Sequence, residues 1–530
     1  MVDNDSLAGH ARLVAALRDP AAYAHPVGGI ELVETHISSV LLAGDYAYKL
    51  KKPVSLGFVD FSTLALRRRD CDEEVRLNRR TAPMLYLDVV PVTRRADGRL
   101  HFGGDGEAIE YAVRMRRFDA AAQLDRLALA GGLDAALIDR LAGAIAAFHA
   151  ACEPAPKESD YGCAPQVRAW TANSLAQLRA RVQDPELRER IDRLAAWCEE
   201  QFARRTAVFE ARRAAGFVRE CHGDLHLGNI ALIDGAPVAF DCIEFNAELR
   251  FIDVMNDVAF TWMDLLDFAL PRLAARFLNG YLEVTGDYAG LATLRYYAVY
   301  RALVRALVAS IRGAQAGRTA RQRDADRARC LRYVAVAEAI ARPQPRRLVA
   351  TCGVAGSGKT TVAQHLLEIL GAVRVRSDVE RKRMAAVAPA QHRPAAVGAG
   401  LYAPATTQAT YGRLRDAAAA IVDAGFAAIA DATFQRRADR DALRRLARSL
   451  GARFALIVCE APPSVLRARV AARLAQGGDA SDATLEVLDA QLAAFEPVTD
   501  DDADLVLRID TDAERAALAA RCERLAAALT

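Results

Sequence analysis

A short segment, Cys221 to Asn229, places a carboxylate and an amide at a spacing that suits phosphoryl transfer. Asp224 can accept the proton of a hydroxyl group that attacks a phosphate, and Asn229 offers an oxygen ligand to Mg²⁺. A largely apolar run follows and ends at Asp241, which can be a second oxygen ligand. These residues predict the transfer of a phosphate to a hydroxyl group.

The same spacing occurs in the catalytic loop of protein kinases, H-R-D-x-x-x-x-N. His222, Asp224 and Asn229 match this pattern, and Gly223 stands in the place of the arginine. We expect His222 to brace the loop through hydrogen bonds, whereas His226 suits either a brace or a substrate contact. A strand, a tight turn and a second strand are predicted between the amide and the second carboxylate, which is the context that such a site needs.

A kinase-type site also needs a cation for the nucleotide phosphates, usually a strand lysine that is paired with a helix glutamate. Lys49 is the preferred lysine and Lys51 the alternative, because both point to the same face of one predicted strand. The charged helix predicted over 64–82 supplies Glu74 as the preferred partner and Glu73 as the alternative. Lysines at strand ends and glutamates on helices are also typical of solvated surfaces.

The pattern of hydrophobic residues divides the chain into two parts. Alternating segments predict strands, and Ala-, Leu- and Arg-rich segments predict helices beyond them. We expect a bilobal, protein-kinase-like α+β domain over 1–342, with a small lobe over about 28–117 and a large lobe over about 118–342. Two prolines in the segment 341–345 predict a stiff linker, and a second domain is expected over 346–530.

The second part of the chain begins with a complete G-x-x-x-x-G-K-[ST] motif, the P-loop, between an apolar strand and a predicted helix. Its glycines let the backbone wrap the phosphates, and the helix N-terminus adds partial positive charge. Lys359 is expected to reach the β- and γ-phosphates, and Thr360 to hold Mg²⁺. The predicted nucleotide-binding residues are Gly353, Gly356, Ser357, Gly358, Lys359, Thr360 and Thr361.

The strands and helices that follow alternate, which predicts an α/β fold with a doubly wound parallel sheet. The second strand, predicted over 373–378, ends with Asp378 and is followed by Arg381, and the third, predicted over 426–430, ends at Asp431. We therefore expect these residues at the edge of the sheet beside the P-loop. Arg469 and Arg473 lie four residues apart on one helical face and can clamp the transferring phosphate. An ordinary surface helix explains these arginines as well, and helix caps or turns explain the aspartates.

The composition limits the classes of partner. Of the 530 residues, 52% are hydrophobic and 26% charged, and the net charge is +3, which gives little attraction to nucleic acids or membrane surfaces. The ten cysteines form no CxxC pair, which indicates reduced thiols in a cytoplasmic protein. Charges interrupt every apolar run before it reaches membrane-spanning length, so no membrane partner is expected.

The segment His222-Gly223-Asp224-Leu225-His226 with Asn229, followed by Asp241-Cys242-Ile243-Glu244, resembles the aminoglycoside phosphotransferase and choline kinase family. The resemblance extends over roughly residues 30–340. It implies a kinase-like fold that phosphorylates a hydroxyl of a small molecule with ATP and Mg²⁺. By position, Asp224 would be the base, and Asn229 and Asp241 the metal ligands. The Gly-rich loop of kinases is missing, and no acidic pocket for a polycationic aminoglycoside is found.

Asp378 with Arg381 resembles the acceptor-site pair of small P-loop kinases such as polynucleotide kinase, gluconate kinase and the zeta toxins. This implies that Asp378 activates the acceptor hydroxyl, and that Asp431 is a metal-shell acid of the Walker B type. The arginine-bearing helix and the stretch 477–482, which is expected to be flexible, resemble the lid of such kinases. Together, the two parts resemble a fused family in which an aminoglycoside-phosphotransferase-like protein is joined to an AAA-type, ATP-binding P-loop kinase.

We therefore expect a bifunctional ATP-dependent phosphotransferase whose two domains each transfer the γ-phosphate of ATP to a small-molecule hydroxyl. In one alternative, the N-terminal domain is a pseudokinase that binds nucleotide and regulates the P-loop domain. In another, the P-loop domain phosphorylates nucleic-acid ends, but the near-neutral charge argues against this alternative.

Overall fold

The structure, a computed structural model, describes residues 5–56, 59–95, 97–315, 317–387, 403–476 and 483–530. Internal contacts divide the chain into two compact units. The first contains Met1–Trp170 and Phe209–Asp264, and the second contains Thr171–Val208 and Leu265–Thr530. The expected linker at 341–345 lies within the second unit, and the division into domains 1–342 and 346–530 stays a prediction.

The N-terminal part of the first unit is built on a six-stranded antiparallel sheet with the order β1-β2-β3-β6-β4-β5. The period of two predicted from the sequence is present in part of β2, where Leu41 and Ala43 are buried and Val40 and Leu42 are half-buried. The elements in this part are α1 (Leu7–Ala16), β1 (Ile30–Glu34), β2 (Ser38–Ala43), β3 (Tyr46–Lys51), α2 (Leu64–Asn78), β4 (Tyr86–Arg94), β5 (Leu100–Phe102) and β6 (Ala108–Arg116).

Helices and short strands follow. The hairpin of β8 and β9 turns at Asp234 and Gly235, which both have positive φ (49° and 79°), as a tight two-residue hairpin requires. Strand β10 pairs with β7 in an antiparallel ribbon. The elements are α3 (Leu124–Leu129), α4 (Ala135–Ala151), α5 (Ala164–Arg181), α6 (Pro185–Ala214), β7 (Val218–Glu220), β8 (Ile230–Ile233), β9 (Ala236–Ala239), α7 (Ala247–Arg250), β10 (Phe251–Asp253) and α8 (Val254–Asp267).

The second unit contains a five-stranded parallel sheet with the order β12-β13-β11-β14-β15. Strand β11 is central and almost entirely buried, which explains its continuous apolar sequence. The elements are α9 (Pro271–Thr285), α10 (Leu291–Gly313), α11 (Ala320–Ala341), β11 (Arg347–Cys352), α12 (Lys359–Leu370), β12 (Val373–Arg376), α13 (Ser377–Met384), α14 (Pro404–Asp423), β13 (Ala428–Asp431), α15 (Arg437–Ser449), β14 (Arg453–Glu460), α16 (Pro463–Gln476), α17 (Leu485–Ala494), β15 (Leu505–Asp510) and α18 (Arg515–Leu529).

Two predicted element ends differ from the structure. Helix α2 ends at Asn78 instead of residue 82, because the Asn78 side chain folds back to the Glu74 carbonyl at 2.9 Å and Pro83 follows closely. Strand β12 ends at Arg376, and α13 already begins at Ser377. Among the described residues, each helix is too short or too polar to cross a lipid bilayer.

A buried ion pair fixes α2 on the sheet of the first unit. The Arg67 guanidinium donates from Nε to both carboxylate oxygens of Glu110 in β6, each at 3.0 Å, and from Nη1 to the Phe61 carbonyl. Arg67 is 0% exposed and Glu110 1%. Because neither charge reaches water, removal of one partner leaves the other charged and poorly solvated.

We predict that Glu110→Gln lowers the free energy of unfolding by about 3–5 kcal/mol, the usual cost of breaking a buried pair. The double variant Arg67→Met with Glu110→Leu removes both charges and should be more stable than the single variant. Urea unfolding followed by far-UV circular dichroism measures both. The control is Asp72→Asn, since Asp72 lies 3.8 Å from Arg68 on the exposed face of α2. Equal loss in Asp72→Asn and Glu110→Gln would contradict the burial argument.

Candidate active sites

The lysine, glutamate and aspartate predicted for the first site lie together. Lys49 of β3 places its Nζ 2.7 Å from Glu74 Oε1 of α2 and 2.5 Å from Asp241 Oδ1. The Glu74 side chain is fully buried, and its two lysine partners lower its pKa although burial opposes this. An ionised Glu74 therefore holds the Lys49 ammonium beside Asp241.

The alternatives left open by the sequence have different surroundings. Lys51 is buried, and its Nζ bonds to Glu74 Oε2 at 2.7 Å and to Glu244. Glu73 pairs with Arg76 and with Arg250, each at 2.7 Å. The preferred pair of Lys49 and Glu74 is thus present, whereas Lys51 belongs to a second, deeper ion pair behind it.

The catalytic loop is held by its own imidazole. His222 Nδ1 accepts from the Asp224 backbone at 3.3 Å, so its Nε2 carries the proton that it donates to the Phe240 carbonyl at 2.9 Å. Burial lowers the pKa of His222, which favours this neutral form. Gly223 has φ 86°, and a Cβ there would lie 2.7 Å from the Leu249 carbonyl, which explains why glycine stands in the place of the arginine of the H-R-D-x-x-x-x-N pattern.

Helix α8 supplies a second support for this loop that the sequence reasoning missed. Asp257 accepts from the backbone of His222 at 2.7 Å and of Gly223 at 2.9 Å. One and two turns later, Thr261 donates to the Leu225 carbonyl and Asp264 accepts from Leu227 N. The signal available in the sequence was three polar residues at i, i+4 and i+7 on one face of an otherwise apolar helix.

Asn229 and Asp241 are brought together by the β8–β9 hairpin. Phe240 N donates to the Asn229 carbonyl at 2.9 Å, so the amide and the carboxylate flank the same end of the hairpin. Asn229 Nδ2 donates to Asp224 Oδ2 at 2.9 Å, which leaves its amide oxygen as the acceptor atom. Asp241 adopts φ 63°, an uncommon backbone conformation that Asp tolerates. One amide oxygen and one carboxylate form a donor set that fits Mg²⁺.

His226 lies next to the proposed base. Its Nδ1 accepts from Gly228 N at 3.1 Å, so the proton of the neutral ring sits on Nε2, 3.5 Å from Asp224 Oδ2. The sequence allows two roles for His226, a brace of the loop or a substrate contact, and this geometry fits the brace. In the β1–β2 bend, where kinases carry a Gly-rich loop, Thr35 Oγ1 accepts from the backbone of Ile37 and Ser38.

The P-loop of the second unit connects β11 to α12. Gly356 has φ 77°, and a Cβ there would lie 2.8 Å from the Leu466 carbonyl, so glycine is required. Lys359 begins α12, and its Nζ donates to the Val354 carbonyl at 2.8 Å. Burial lowers the pKa of this lysine. The residues predicted to bind nucleotide lie in the loop after β11 and in the first turn of α12: Gly353, Gly356, Ser357, Gly358, Lys359, Thr360 and Thr361.

Asp431 ends β13 directly beside β11. Its Oδ1 accepts from Thr351 Oγ1 at 3.0 Å, whereas its Oδ2 is buried and, within the described part of the chain, has no hydrogen-bond partner. Asp431 and Thr360 both line one cleft of about 1060 Å³. A buried carboxylate oxygen without a partner beside a P-loop threonine fits a Mg²⁺ site.

The acceptor-side pair lies in the same cleft. Asp378 occupies the first turn of α13, and its Oδ1 accepts from Arg381 Nη1 at 2.7 Å. Asp378 was expected at a strand end but lies on a helix, one turn before Arg381, and this spacing is what lets the two side chains meet. Tyr411 of α14 also lines the cleft, and its hydroxyl accepts from Phe434 N at 3.2 Å.

The two arginines of α16 differ. Arg469 donates to the Thr511 carbonyl at 2.8 Å and to the Gly356 carbonyl at 3.3 Å, so it braces the P-loop. Arg473 lines the cleft, and its Nε and Nη2 have no partner among the described residues. Gln491 of α17, which the sequence reasoning missed, accepts from the P-loop residue Ala355 at 2.7 Å. The predicted flexible stretch 477–482 lies outside the described residues.

Two family models match this chain, one over the region of the catalytic loop and the other over the region of the P-loop. The model of the "Phosphotransferase enzyme family" matches residues 58–297, and the model described as "AAA domain" matches residues 348–498. The first match contains the catalytic loop and α9, and the second contains the P-loop and α16.

Several solved structures are similar to parts of the chain. Amicoumacin kinase in complex with AMP-PNP, Ca²⁺ and Ami is 14% identical, with a TM-score of 0.38, and the match covers 61% of this chain and 92% of that one. A sugar kinase from Janibacter sp. HTCC2649 is 22% identical, with a TM-score of 0.27, and the match covers 34% of this chain and 94% of that one.

Similar proteins of full length occur in mycobacteria. An uncharacterized protein of Mycobacterium tuberculosis (strain ATCC 25618 / H37Rv) is 33% identical over 503 residues, which cover 94% of this chain and 96% of the relative. An uncharacterized protein of Mycobacterium bovis has the same identity and coverage. The protein therefore belongs to the family of these mycobacterial proteins, and it is a kinase-family enzyme in which a phosphotransferase-family region precedes an AAA domain of the P-loop type.

Proposed function

We propose that the protein is a bifunctional ATP-dependent phosphotransferase, in which each unit transfers the γ-phosphate of ATP to a hydroxyl group of a small molecule. The observation that carries the proposal is that each unit holds its own set of phosphate cation, metal-type donors and acceptor base. Lys49, Asp241 and Asp224 belong to the first unit, and Lys359 and Asp378 belong to the second.

In the first site, Lys49 neutralises the nucleotide phosphates while Glu74 keeps its ammonium in place. Asp224 orients the acceptor hydroxyl and takes its proton as the oxygen attacks the γ-phosphate. Asn229 donates a hydrogen bond to the Asp224 carboxylate and fixes its direction, and His226 Nε2 lies 3.5 Å from the same carboxylate. Phosphoryl transfer depends mainly on such positioning and on charge neutralisation.

In the second site, the P-loop backbone and Lys359 bind the β- and γ-phosphates. Asp378, aligned by Arg381, accepts the proton of the second acceptor. Arg473, whose Nε and Nη2 have no partner among the described residues, offers these donors to the transferring phosphate, and Arg469 secures the P-loop.

Mg²⁺ would be held by Asn229 and Asp241 in the first site and by Thr360 and Asp431 in the second. When bound there, it would neutralise charge on the phosphates. We also propose a cytoplasmic location, since all ten cysteines are free thiols and nine of them are recorded as buried, with Cys163 partly exposed.

The regulatory alternative has one supporting observation. In the β1–β2 bend, two backbone donors that could bind phosphates are already bonded to Thr35. A first site that binds nucleotide without turnover would then act on the P-loop site. The following experiment separates this alternative from two active sites.

We predict that Asp224→Ala and Lys359→Ala each abolish one set of phosphorylated products and leave the other. The measurement is a screen with γ-labelled ATP against sugars, amino alcohols, nucleosides and aminoglycosides, with full-length wild type and both variants. Each variant should lose about 10²-fold or more of one activity, because a base or a phosphate-binding cation has been removed.

Two results would contradict the proposal in different ways. If Asp224→Ala leaves every product unchanged while Lys359→Ala removes all of them, the first unit is regulatory. If neither variant changes labelling, the labelled products come from an activity that uses neither Asp224 nor Lys359. Phosphorylation of oligonucleotides that weakens steeply with salt would favour the nucleic-acid alternative.

We predict that Lys49→Met lowers turnover of the first site by about 10²-fold or more, since it removes the cation beside the metal-type carboxylate. Lys51→Met should lower the melting temperature more than it lowers turnover, because it leaves Glu74 and Glu244 buried with one cation fewer. Both are measured in the Lys359→Ala background, by turnover with the acceptor from the screen and by thermal melting. The reverse ranking would identify Lys51 as the phosphate-binding lysine.

We predict that nucleotide binding at the P-loop takes up a proton at alkaline pH. Burial lowers the pKa of Lys359 in the free protein, and nucleotide phosphates raise it again. ATP affinity should therefore fall as the pH rises through the lowered pKa. Calorimetry of Mg·ATP binding at about pH 7 and about pH 9.5, in two buffers each, measures the uptake. In Lys359→Arg, whose guanidinium stays charged, the uptake should disappear; equal uptake in both proteins would contradict the assignment.

A further inference from the structure

Helix α9 is built into the edge of the parallel sheet, although it lies within the phosphotransferase-family match at 58–297. Both elements belong to the second compact unit. The buried Asn279 amide donates to the Ala372 carbonyl at 2.8 Å and accepts from Arg374 N at 2.7 Å. Since β12 is an edge strand, this side chain supplies the donor and acceptor that a further strand would provide.

One helical turn later, Glu283 contacts both arginines of β12. Its Oε1 lies 2.8 Å from Arg376 Nη1, and its Oε2 lies 3.1 Å from Arg374 Nη2. Burial works against ionisation of Glu283, but the two guanidinium groups outweigh it and lower its pKa. Glu283 is therefore an anion at neutral pH that holds two cations at the carboxyl end of β12.

One of these cations belongs to the P-loop site. Arg376 lines the cleft together with Lys359, Asp378 and Asp431. Burial opposes its charge, but Glu283, Asp431 and Asp378 together raise the pKa of Arg376 above its usual value. A guanidinium has its donors in a planar fork, which is a geometry that matches the oxygens of a phosphate.

The last turn of α9 also contacts α13, the helix that carries Asp378. The Glu283 carbonyl accepts from Arg383 Nη2, and Gly286 lies so close that a Cβ there would come within 2.7 Å of Arg383 Nε. At the other end of the contact, Ala275 packs in the same apolar core as the P-loop helix residues Val362 and Leu366. Helix α9 is thus fixed at several points around the segment that holds Arg376 and Asp378.

We propose that Glu283 is a positioning residue of the P-loop site, and that it directs Arg376 toward the γ-phosphate of the bound nucleotide. The inference rests on the proposed function of this cleft. Helix α9 then contributes a residue to the second site, and the segment 346–530 by itself lacks that residue.

The test compares ATP with ADP, because only ATP carries the phosphate that Arg376 would bind. Full-length protein with Lys49→Met and Asp224→Ala, which removes both the phosphate-binding cation and the base proposed for the first site, is the background. We expect Glu283→Gln and Arg376→Gln to weaken ATP binding about tenfold and to change ADP binding less than about twofold. In the double variant the loss should be no larger than in Arg376→Gln alone, because Glu283 acts through Arg376.

The control is Arg276→Gln on the same helix. Arg276 pairs with Glu368 of α12 at 2.7 Å, and neither residue lines the cleft. This variant should shift the melting temperature at least as far as Glu283→Gln and leave the ratio of ATP to ADP affinity unchanged. A purely structural role for Glu283 would make the two variants alike.

The inference is overturned if Glu283→Gln keeps the wild-type affinity ratio, or if the losses in the double variant multiply. Phosphoryl transfer by the P-loop site is measured in the same samples. Absence of transfer in the background protein would refute the proposed function, while the affinity ratio would still decide the role of Glu283. Normal transfer with an unchanged ratio would refute only the role of Glu283.

Discussion

Both sites depend on one constraint: a cation that binds phosphate must be held in place before the nucleotide arrives. In the first unit the buried Glu74 meets this constraint, because one carboxylate oxygen holds Lys49 and the other holds Lys51. Glu244 balances the deeper lysine. A carboxylate that binds a single lysine can rotate together with it. The Glu74 carboxylate binds two lysines of β3, so its orientation is fixed between that strand and α2.

The second unit meets the same constraint by a different route. The P-loop lysine is held by a backbone carbonyl, at Val354, and burial lowers its pKa although Asp431 and Asp378 oppose this shift. Two arginines that line the same cleft are held by carboxylates: Arg381 by Asp378, and Arg376 by Glu283. Glycines make the close approach of backbone to phosphate possible, and helix α12 adds its positive N-terminus. The first site thus holds its lysine with side-chain carboxylates, whereas the second holds its lysine largely with backbone groups.

The sequence predicted those parts of the sites whose residues are close in the chain. The P-loop, the catalytic loop and the hairpin before Asp241 are local patterns in which type and spacing carry the chemistry. Supports that come from distant segments were not predictable in this way. Asp257 holds the catalytic loop from a helix that reads as apolar, and Glu283 holds Arg376 from within a region matched by another family. Periodicity shows which face of a helix is buried, but not which loop that face will meet.

The placement of α9 also changes how the two parts of the chain can influence each other. Asp264, which holds Leu227 of the catalytic loop, lies near the end of α8, and α9 begins shortly afterwards at Pro271. Only a short stretch of chain therefore separates the residues that support the first base from those that support Arg376. Chain proximity by itself transmits nothing; coupling requires that nucleotide in one site changes the affinity of the other, and by the same factor in both directions.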